Sequence, residues 1–530
     1  MSRVKGRRTP GAWVVILLPT AWGCMVGPDY ARPPAPTAAS WIEARQPGVH
    51  TESAAAERWW TVFQDPVLDR LVELAYRQNL VLRAAGLRVL QAQARRAIAI
   101  GSLFPQQQAL NASYRHVEQS LNTQLGSDLP RSFDSWVAGF DTVWELDLWG
   151  KFRRAVEASD ADLLAAVADY DDVLVSLVAE VAATYVQIRV LGERLDVARD
   201  NVRVQQDSLG IARVRFEAGG TSELDVQQAT ALLKDTEATI PQLGIETRQA
   251  MDSLCVLLGV PPSELTDLLE GAPRVPQVPS SIAAGIPADL LRRRPDVRRA
   301  ERSAAAQSAR IGVAAAELLP SLQLVGRVGL SAEDAGKLFE GNSFAADTGP
   351  AIQWPVLNYG RLVNDVRLQD AQFQEQLVVY ANTVLTAQQE VEDALVGYLR
   401  GSEQVASLMQ SVAAATRAEE ISRVQYREGA TDFTAVLNAL QVKIREEDLL
   451  ASTRGAVALS VIALNKALGG GWELRGTDDF VPDATLDEMR ARTNWGSLLS
   501  TEGRAGDVEA ADSDAGNRPW WHWRRWWPKW

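Results

Sequence analysis

Residues 213–226 read RVRFEAGGTSELDV, and residues 423–436 read RVQYREGATDFTAV. At an offset of 210 positions, Arg213 meets Arg423, Val214 meets Val424, Gly219 meets Gly429 and Thr221 meets Thr431. The offset extends outward in both directions without a gap. Trp144 falls on Trp354, Gly150 on Gly360, Tyr170 on Tyr380, the pair Glu180 and Val181 on Glu390 and Val391, and the pair Leu258 and Gly259 on Leu468 and Gly469. An ungapped register over more than a hundred residues means that one supersecondary unit is used twice, because any insertion would break it.

Each copy predicts a helical hairpin turning at its glycine. Between Lys151 and Glu217 there is no proline, and Ala, Leu, Val and charged residues dominate, a composition that favours helix. Leu163, Val167, Tyr170, Leu174, Leu177, Val181, Leu195, Val202 and Leu209 recur at helical spacing. At 1.5 Å per residue this helix is roughly 100 Å long. Gly219 and Gly429 suit a left-handed turn, and Thr221, Ser222, Thr431 or Asp432 can cap the helix that follows. The returning helices, about 222–258 and 432–468, cover only about half the outgoing length, with Pro241 expected to kink the first. Two further helical segments, about 70–101 and 287–317, are the right length to complete the returning arms. The segment 287–317 is read as completing one returning arm and 70–101 as completing the other.

Before each long helix the period changes to two. Trp136, Ala138, Phe140, Thr142, Trp144 and Leu146 share one face, while Ser135, Gly139, Asp141 and Glu145 share the other. Leu322, Leu324, Val328 and Leu330 likewise oppose Gln323 and Arg327. With partners, strands are expected at about 106–118, 133–147, 321–331 and 344–355. Alternation over about ten residues with aromatics near the ends is the pattern of membrane β-barrel strands. A half-buried soluble sheet shows the same period, but export and the long hairpins favour the membrane reading. Four strands cannot close a barrel, and an open edge in lipid is forbidden. Three copies would supply twelve strands and six hairpins.

The N-terminus carries an export signal. Arg3, Lys5, Arg7 and Arg8 precede a short apolar run that ends in Gly23 and Cys24, too short to span a bilayer as a helix, which takes about 20 residues. The Gly23–Cys24 junction resembles a bacterial lipobox, although Ala21 and Trp22 depart from that pattern. Cys24 is thus the expected acylation site, with simple cleavage and a free thiol as the other reading. The proline-rich string after it, Val26-Gly27-Pro28-Asp29-Tyr30-Ala31-Arg32-Pro33-Pro34, predicts an extended arm. The same string resembles the mature start of outer-membrane efflux lipoproteins, the TolC-like family in its NodT/OprM branch. The run Arg294-Pro295-Asp296-Val297-Arg298-Arg299-Ala300-Glu301 adds to that resemblance.

The resemblance implies a mainly α channel-tunnel with a membrane β-barrel, internally duplicated, with four strands and long coiled-coil helices per chain. Its expected parts are a lipoprotein signal (1–23), an extended arm (24–65), two structural repeats (66–270 and 271–470) and a C-terminal extension (471–530). The implied function is the exit duct of a tripartite efflux system, homotrimeric and lipid-anchored in the outer membrane. It would passively conduct small molecules delivered by a periplasmic adaptor and an inner-membrane, proton-driven pump. A protein-secretion duct and a non-conducting trimeric envelope lipoprotein are the alternatives. The family places the adaptor at the hairpin tips, here Arg215, Gly219, Thr221, Leu224, Asp225, Tyr426, Gly429 and Thr431. It places the periplasmic aperture at Thr434, Asn438 and Gln228; where family members often carry Asp, this chain has Asn438, which removes a carboxylate from the ring.

Bulk properties exclude much else. A net charge of −13 disfavours a nucleic-acid partner. Two cysteines and three histidines, His50, His116 and His522, form no ligand spacing or nucleophile–base motif. No enzyme activity, metal or cofactor is therefore expected, apart from the lipid on Cys24. The segment from Thr477 to Asp514 is acidic and aperiodic, and is expected to be disordered. It leads to 518–530, RPWWHWRRWWPKW, whose Trp and Arg suit a membrane interface or an anionic glycan and suggest a peripheral anchor.

Overall fold

The fold was analysed in a computed structural model, which describes residues 25–50, 52, 57–120, 131–269, 271, 274–476 and 478–499. The two long helices are each 67 residues, α3 (Lys151–Glu217) and α7 (Arg361–Arg427), with returning helices α4 (Glu223–Leu257) and α8 (Phe433–Ala467) of 35 residues each. The equality of lengths follows from the ungapped repeat. α4 passes through Pro241 as one helix, since proline removes only one N–H from the ladder.

The returning arms are completed by α1 (Pro66–Gln78), α2 (Leu80–Gly101), α5 (Leu290–Arg293) and α6 (Pro295–Ala316). The segment expected as one helix over 70–101 is two, broken at Asn79, whose extended backbone lets its side chain cap α2 at Leu82 N. The segment expected over 287–317 becomes a single helix only at Pro295, which occupies the first helical position. The pairing of short helices differs from the order along the chain. Asn79 Nδ2 donates to Leu257 O at 2.9 Å, so α2 continues α4. Arg294 Nη1 donates to Ala467 O at 2.9 Å, so α6 continues α8. Each joint satisfies a helix-end carbonyl that would otherwise be orphaned. Gly259, at φ +71, permits the first: a Cβ there would lie 2.4 Å from Gln78 O.

The four long strands are β2 (Gln107–Glu118), β3 (Ser132–Leu146), β5 (Ser321–Ala332) and β6 (Phe344–Gln353), in antiparallel order β2-β3-β5-β6. A short parallel pair, β1 (Val49–His50) with β4 (Ile282–Ala283), ties the N-terminal arm to the linker between repeats. The register of the large sheet separates two faces. Leu110, Phe140, Val328 and Ala346 align across all four strands, as do Tyr114, Trp136 and Ala332 across the first three. The adjacent row on the other face is Ala109, Asp141, Arg327 and Asp347. There Asn111 Nδ2 donates to Asp141 at 2.7 Å, and Arg327 pairs with Asp141 at 2.9 Å. One face is thus largely apolar, with Tyr114 and Trp136 in contact at one end (4.5 Å) and Trp144 and Leu146 at the other; the opposite face mixes polar and small residues with Phe133, Val137, Val143 and Val325. β2 and β6 are open edges.

The main core lies between the ends of the molecule. Trp41, Trp59, Trp60 and Phe63 pack with α1, α2, the middle of α3 and α7 and the C-terminal end of α8. The arm is mostly extended, as expected, but turns into a 3-10 helix at Trp59–Phe63. It runs along the helices, with Arg154 holding Asp29 at 2.7 Å, Arg32 pairing with Glu301 at 2.8 Å and Ile42 N donating to Glu392 at 2.8 Å. The expectation of disorder from Thr477 to Asp514 fails for the described residues 478–499. α9 (Asp483–Arg492) and its flanks bury Val481, Leu486, Met489 and Leu499 against Leu90 of α2. The reason is tertiary: α9 is too short to show a clear apolar stripe, and its apolar partners belong to another helix.

Candidate functional site: the hairpin tips

The tips are built by the turn chemistry that the repeat conserves. Gly219 (φ +72) and Gly429 (φ +79) stand in the left-handed region. Gly219 N donates to Phe216 O and Gly220 N to Arg215 O, while Gly429 N and Ala430 N make the equivalent bonds to Tyr426 O and Gln425 O. These close the last turns of α3 and α7. Of the candidate caps, Asp432 accepts from Ala435 N at 3.2 Å, whereas Ser222 makes no cap bond. Thr221 instead hydrogen-bonds Asp225.

Where the copies diverge, the structure brings them together. Arg215 reaches from the first tip to the second, donating to Tyr426 O and stacking over the Tyr426 ring at 4.6 Å. It also donates to Gly220 O at 3.1 Å in its own tip. Tyr426 Oη donates to Asp225 at 3.1 Å, and its ring meets Phe433 edge to face at 5.3 Å. Tyr426 is 2 % exposed and Phe433 fully buried, in a cluster with Leu209, Ala212, Ala229, Leu233, Val436 and Leu440. Burial pushes the Tyr426 phenol above its usual range, aided by the neighbouring Asp225 carboxylate. The phenol therefore stays protonated and can donate.

Arg215, Thr221, Asp225 and Tyr426 thus form one cluster within the protomer, with Tyr426 turned to the other hairpin rather than to solvent. Leu224 is 62 % exposed, and Gly219 and Gly429 are exposed at the apex. Thr434 and Asn438 lie exposed on α8, and Gln228 is half-buried on α4. Among the described residues, none of these three has a side-chain hydrogen bond within the protomer. Phe433 was missed as a site residue. Its signal was the complementary divergence of the copies: Arg215 and Asp225 face Gln425 and Ala435 in the alignment, while Tyr426 and Phe433 face Phe216 and Glu223. One copy supplies charge, the other aromatic surface.

At the opposite end, Cys24 lies outside the described residues. Its neighbour Met25 sits against Gly150, where a Cβ would come 2.7 Å from Met25 Cγ, and Val26 N donates to Trp149 O at 3.0 Å. Met25 and Val26 are therefore held where β3 meets α3.

The chain belongs to the outer membrane efflux protein family, whose model matches residues 71–260 and 286–470, and it is a TolC-like outer-membrane efflux channel protein. It is 34% identical over 422 residues to the pyoverdine export outer membrane protein OpmQ of Pseudomonas putida, covering 79% of this chain and 88% of that protein. It is 31% identical to nodulation protein T of Rhizobium leguminosarum bv. viciae over 85% of this chain and 91% of the relative. The fold superposes on the outer-membrane channel OprN with a TM-score of 0.79 at 34% identity, covering 85% of this chain and 100% of that one. The family consists of channels rather than enzymes.

Proposed function

We propose that three copies close a twelve-stranded β-barrel in the outer membrane above an α-helical tunnel, and that this duct passively conducts small molecules out of the cell. The observation that carries the reading is the four-stranded sheet with two open edges, one largely apolar face and one more polar face, continuous with two hairpins of about 100 Å. Only closure with other copies satisfies β2 and β6 in lipid. An even count of twelve lies within the range of such barrels.

A periplasmic adaptor would meet the exposed apices at Gly219, Leu224 and Gly429, with the half-buried Thr431 beside them, and an inner-membrane pump, proton-driven in this reading, would supply the energy. Thr434, Asn438 and Gln228 would line the aperture. The cluster joining Arg215, Asp225 and Tyr426 holds the second hairpin against the first, so widening the periplasmic end requires parting them. Cys24, next in sequence to Met25, would carry acyl chains into the adjoining leaflet. Small-molecule cargo is favoured over protein because relatives are named for export of pyoverdine and, in another Pseudomonas putida strain, for toluene efflux.

The test is purification from outer membranes, native mass determination and conductance in planar bilayers. Trimeric mass, and discrete conductance that rises when the tip cluster is broken, is the expected result. A monomer, or a trimer silent in every tip variant, would refute the duct and favour a non-conducting envelope lipoprotein.

A further inference from the structure

We infer that the two open edges of the sheet join between copies in one fixed register, which brings Arg115 on β2 of one copy to Asp347 on β6 of the next and seals each seam with an ion pair. The inference rests on the duct reading for head-to-tail closure and adds the rung at which it closes. Arg115 and Asp347 both lie on the face that carries Asp141 and Arg327, and both are exposed. Among the described residues, neither has an ion pair or a side-chain hydrogen bond within its own copy. The two edges also differ in sign. Between Gln107 and Val117 that face of β2 carries one base and no acid, and between Ala345 and Gln353 that face of β6 carries one acid and no base. Pairing β2 with β2, or β6 with β6, would place like charges on one seam, which is destabilising. Pairing β6 with β2 places opposite charges there.

The register follows from the repeat. Gln107 faces Val143, and Ser321 faces Gln353, so β5 repeats β2 at an offset of 214 while β6 repeats β3 at 210. The seam inside the chain, between β3 and β5, sets Asp141 opposite Arg327, an ion pair at 2.9 Å. The same offsets carry that rung to Ala351 of one copy opposite Ser113 of the next, where neither residue is charged. Gly349 then falls opposite Arg115, and Asp347 opposite Val117. Arg115 and Asp347 become diagonal neighbours, about 7–8 Å apart and within reach of a long side chain. Gly349 leaves the space above its own backbone open, so the guanidinium can lean across it.

The foot of the sheet supports the same closure. Trp144 Nε1 donates to Leu103 O at 3.2 Å and Trp354 Nε1 to Leu318 O at 3.0 Å, one contact made once in each half. Trp149 Nε1 donates to Pro320 O at 2.7 Å, across the seam between the halves. Its repeat counterpart would join Tyr359 to Pro105. Within one copy these two lie at the feet of opposite edge strands, and Tyr359 is 96 % exposed. A second copy supplies the missing half of that contact.

The test uses the full-length protein with cysteine pairs, each single-cysteine variant serving as control; Cys255 is buried. Ser113→Cys/Ala351→Cys, directly opposite in this register, should oxidise to a covalent trimer. Ala109→Cys/Ala351→Cys, displaced by four residues or about 13 Å along the strand, should not. Arg115→Glu and Asp347→Arg should each lower the SDS-resistant trimer about two- to fivefold, the size of one cross-strand charge pair, and the double swap should restore it. Preferred cross-linking of the displaced pair, or a double swap no better than the single reversals, would overturn the seam; a trimer of that kind that conducts in planar bilayers leaves the duct standing. A trimer cross-linked at the expected rung but silent in bilayers would sink the duct reading and leave the seam standing. A monomer that cross-links at neither pair would overturn both.

Discussion

At the residue scale, the informative positions are those where the two copies of the repeat disagree. Asp225→Ala removes the acceptor of Tyr426 Oη and of Thr221 at once. A hydrogen bond of this kind contributes about 0.5–1.5 kcal/mol. The variant should raise the open fraction of the channel about two- to tenfold in planar-bilayer recordings, and Tyr426→Phe should do so less, since its ring still packs on Phe433. Arg215→Gln, which copies the residue of the second tip, should act in the same direction by removing the stacking and the Tyr426 carbonyl bond. Unchanged conductance in all three would show that the cluster does not hold the end closed. The pH dependence follows from the phenol. Its folded-state pKa is raised by burial, so its contribution is complete below the ordinary tyrosine value of about 10 and is lost as pH rises through the folded value. Tip closure should therefore be flat through neutral pH and weaken only in alkali; a neutral-pH transition that survives in Tyr426→Phe would place the sensor elsewhere.

At the element scale, two joints depend on glycine. Gly86→Ala puts a methyl into the Phe480 carbonyl, so segment 478–499 must lift off α2. Limited proteolysis should then cleave near Gly476 in the variant while the wild type resists. Gly259→Ala strains a left-handed residue and collides with Gln78 O. A cost of about 1–3 kcal/mol is expected, readable as a lowered Tm of the helical part. Much at this scale was legible in the sequence. The ends of α3 and α7, the tips and the four strands fall within a residue or two of the expectation, because each is marked by local chemistry: periodicity, glycine, a cap or a proline. The joints were not legible. Asn79 reads as an ordinary helix residue until Leu257 O is beside it, and nothing near Arg294 announces the Ala467 carbonyl.

At the scale of the whole molecule, the sheet makes the sharpest prediction. Leu110 and Asn111 are neighbours on β2 but point to opposite faces. Leu110→Arg should destabilise the inserted oligomer by about 2–4 kcal/mol, the cost of a basic residue on the lipid face near the bilayer midplane. Asn111→Arg should assemble normally and change only ion preference. Heat-modified mobility of the purified protein separates these outcomes, and equal assembly of the two variants would mean that the apolar face is not in lipid.

The amino-acid order by itself determined the duplication, the length of the hairpins, the turn at each tip and the alternating strands, because these follow from contacts within a few residues and from a register that any insertion would spoil. It also marked the tips as the place where the copies diverge. Only the tertiary structure decided which short helix completes which arm, that Arg215 and Asp225 of one copy close on Tyr426 and Phe433 of the other, and that 478–499 folds onto α2. Those outcomes depend on which helix ends, aromatic faces and carbonyls lie opposite one another in space. Such choices are made between residues up to some 400 positions apart, as Tyr76 and Asp478 are, where no local period carries a signal.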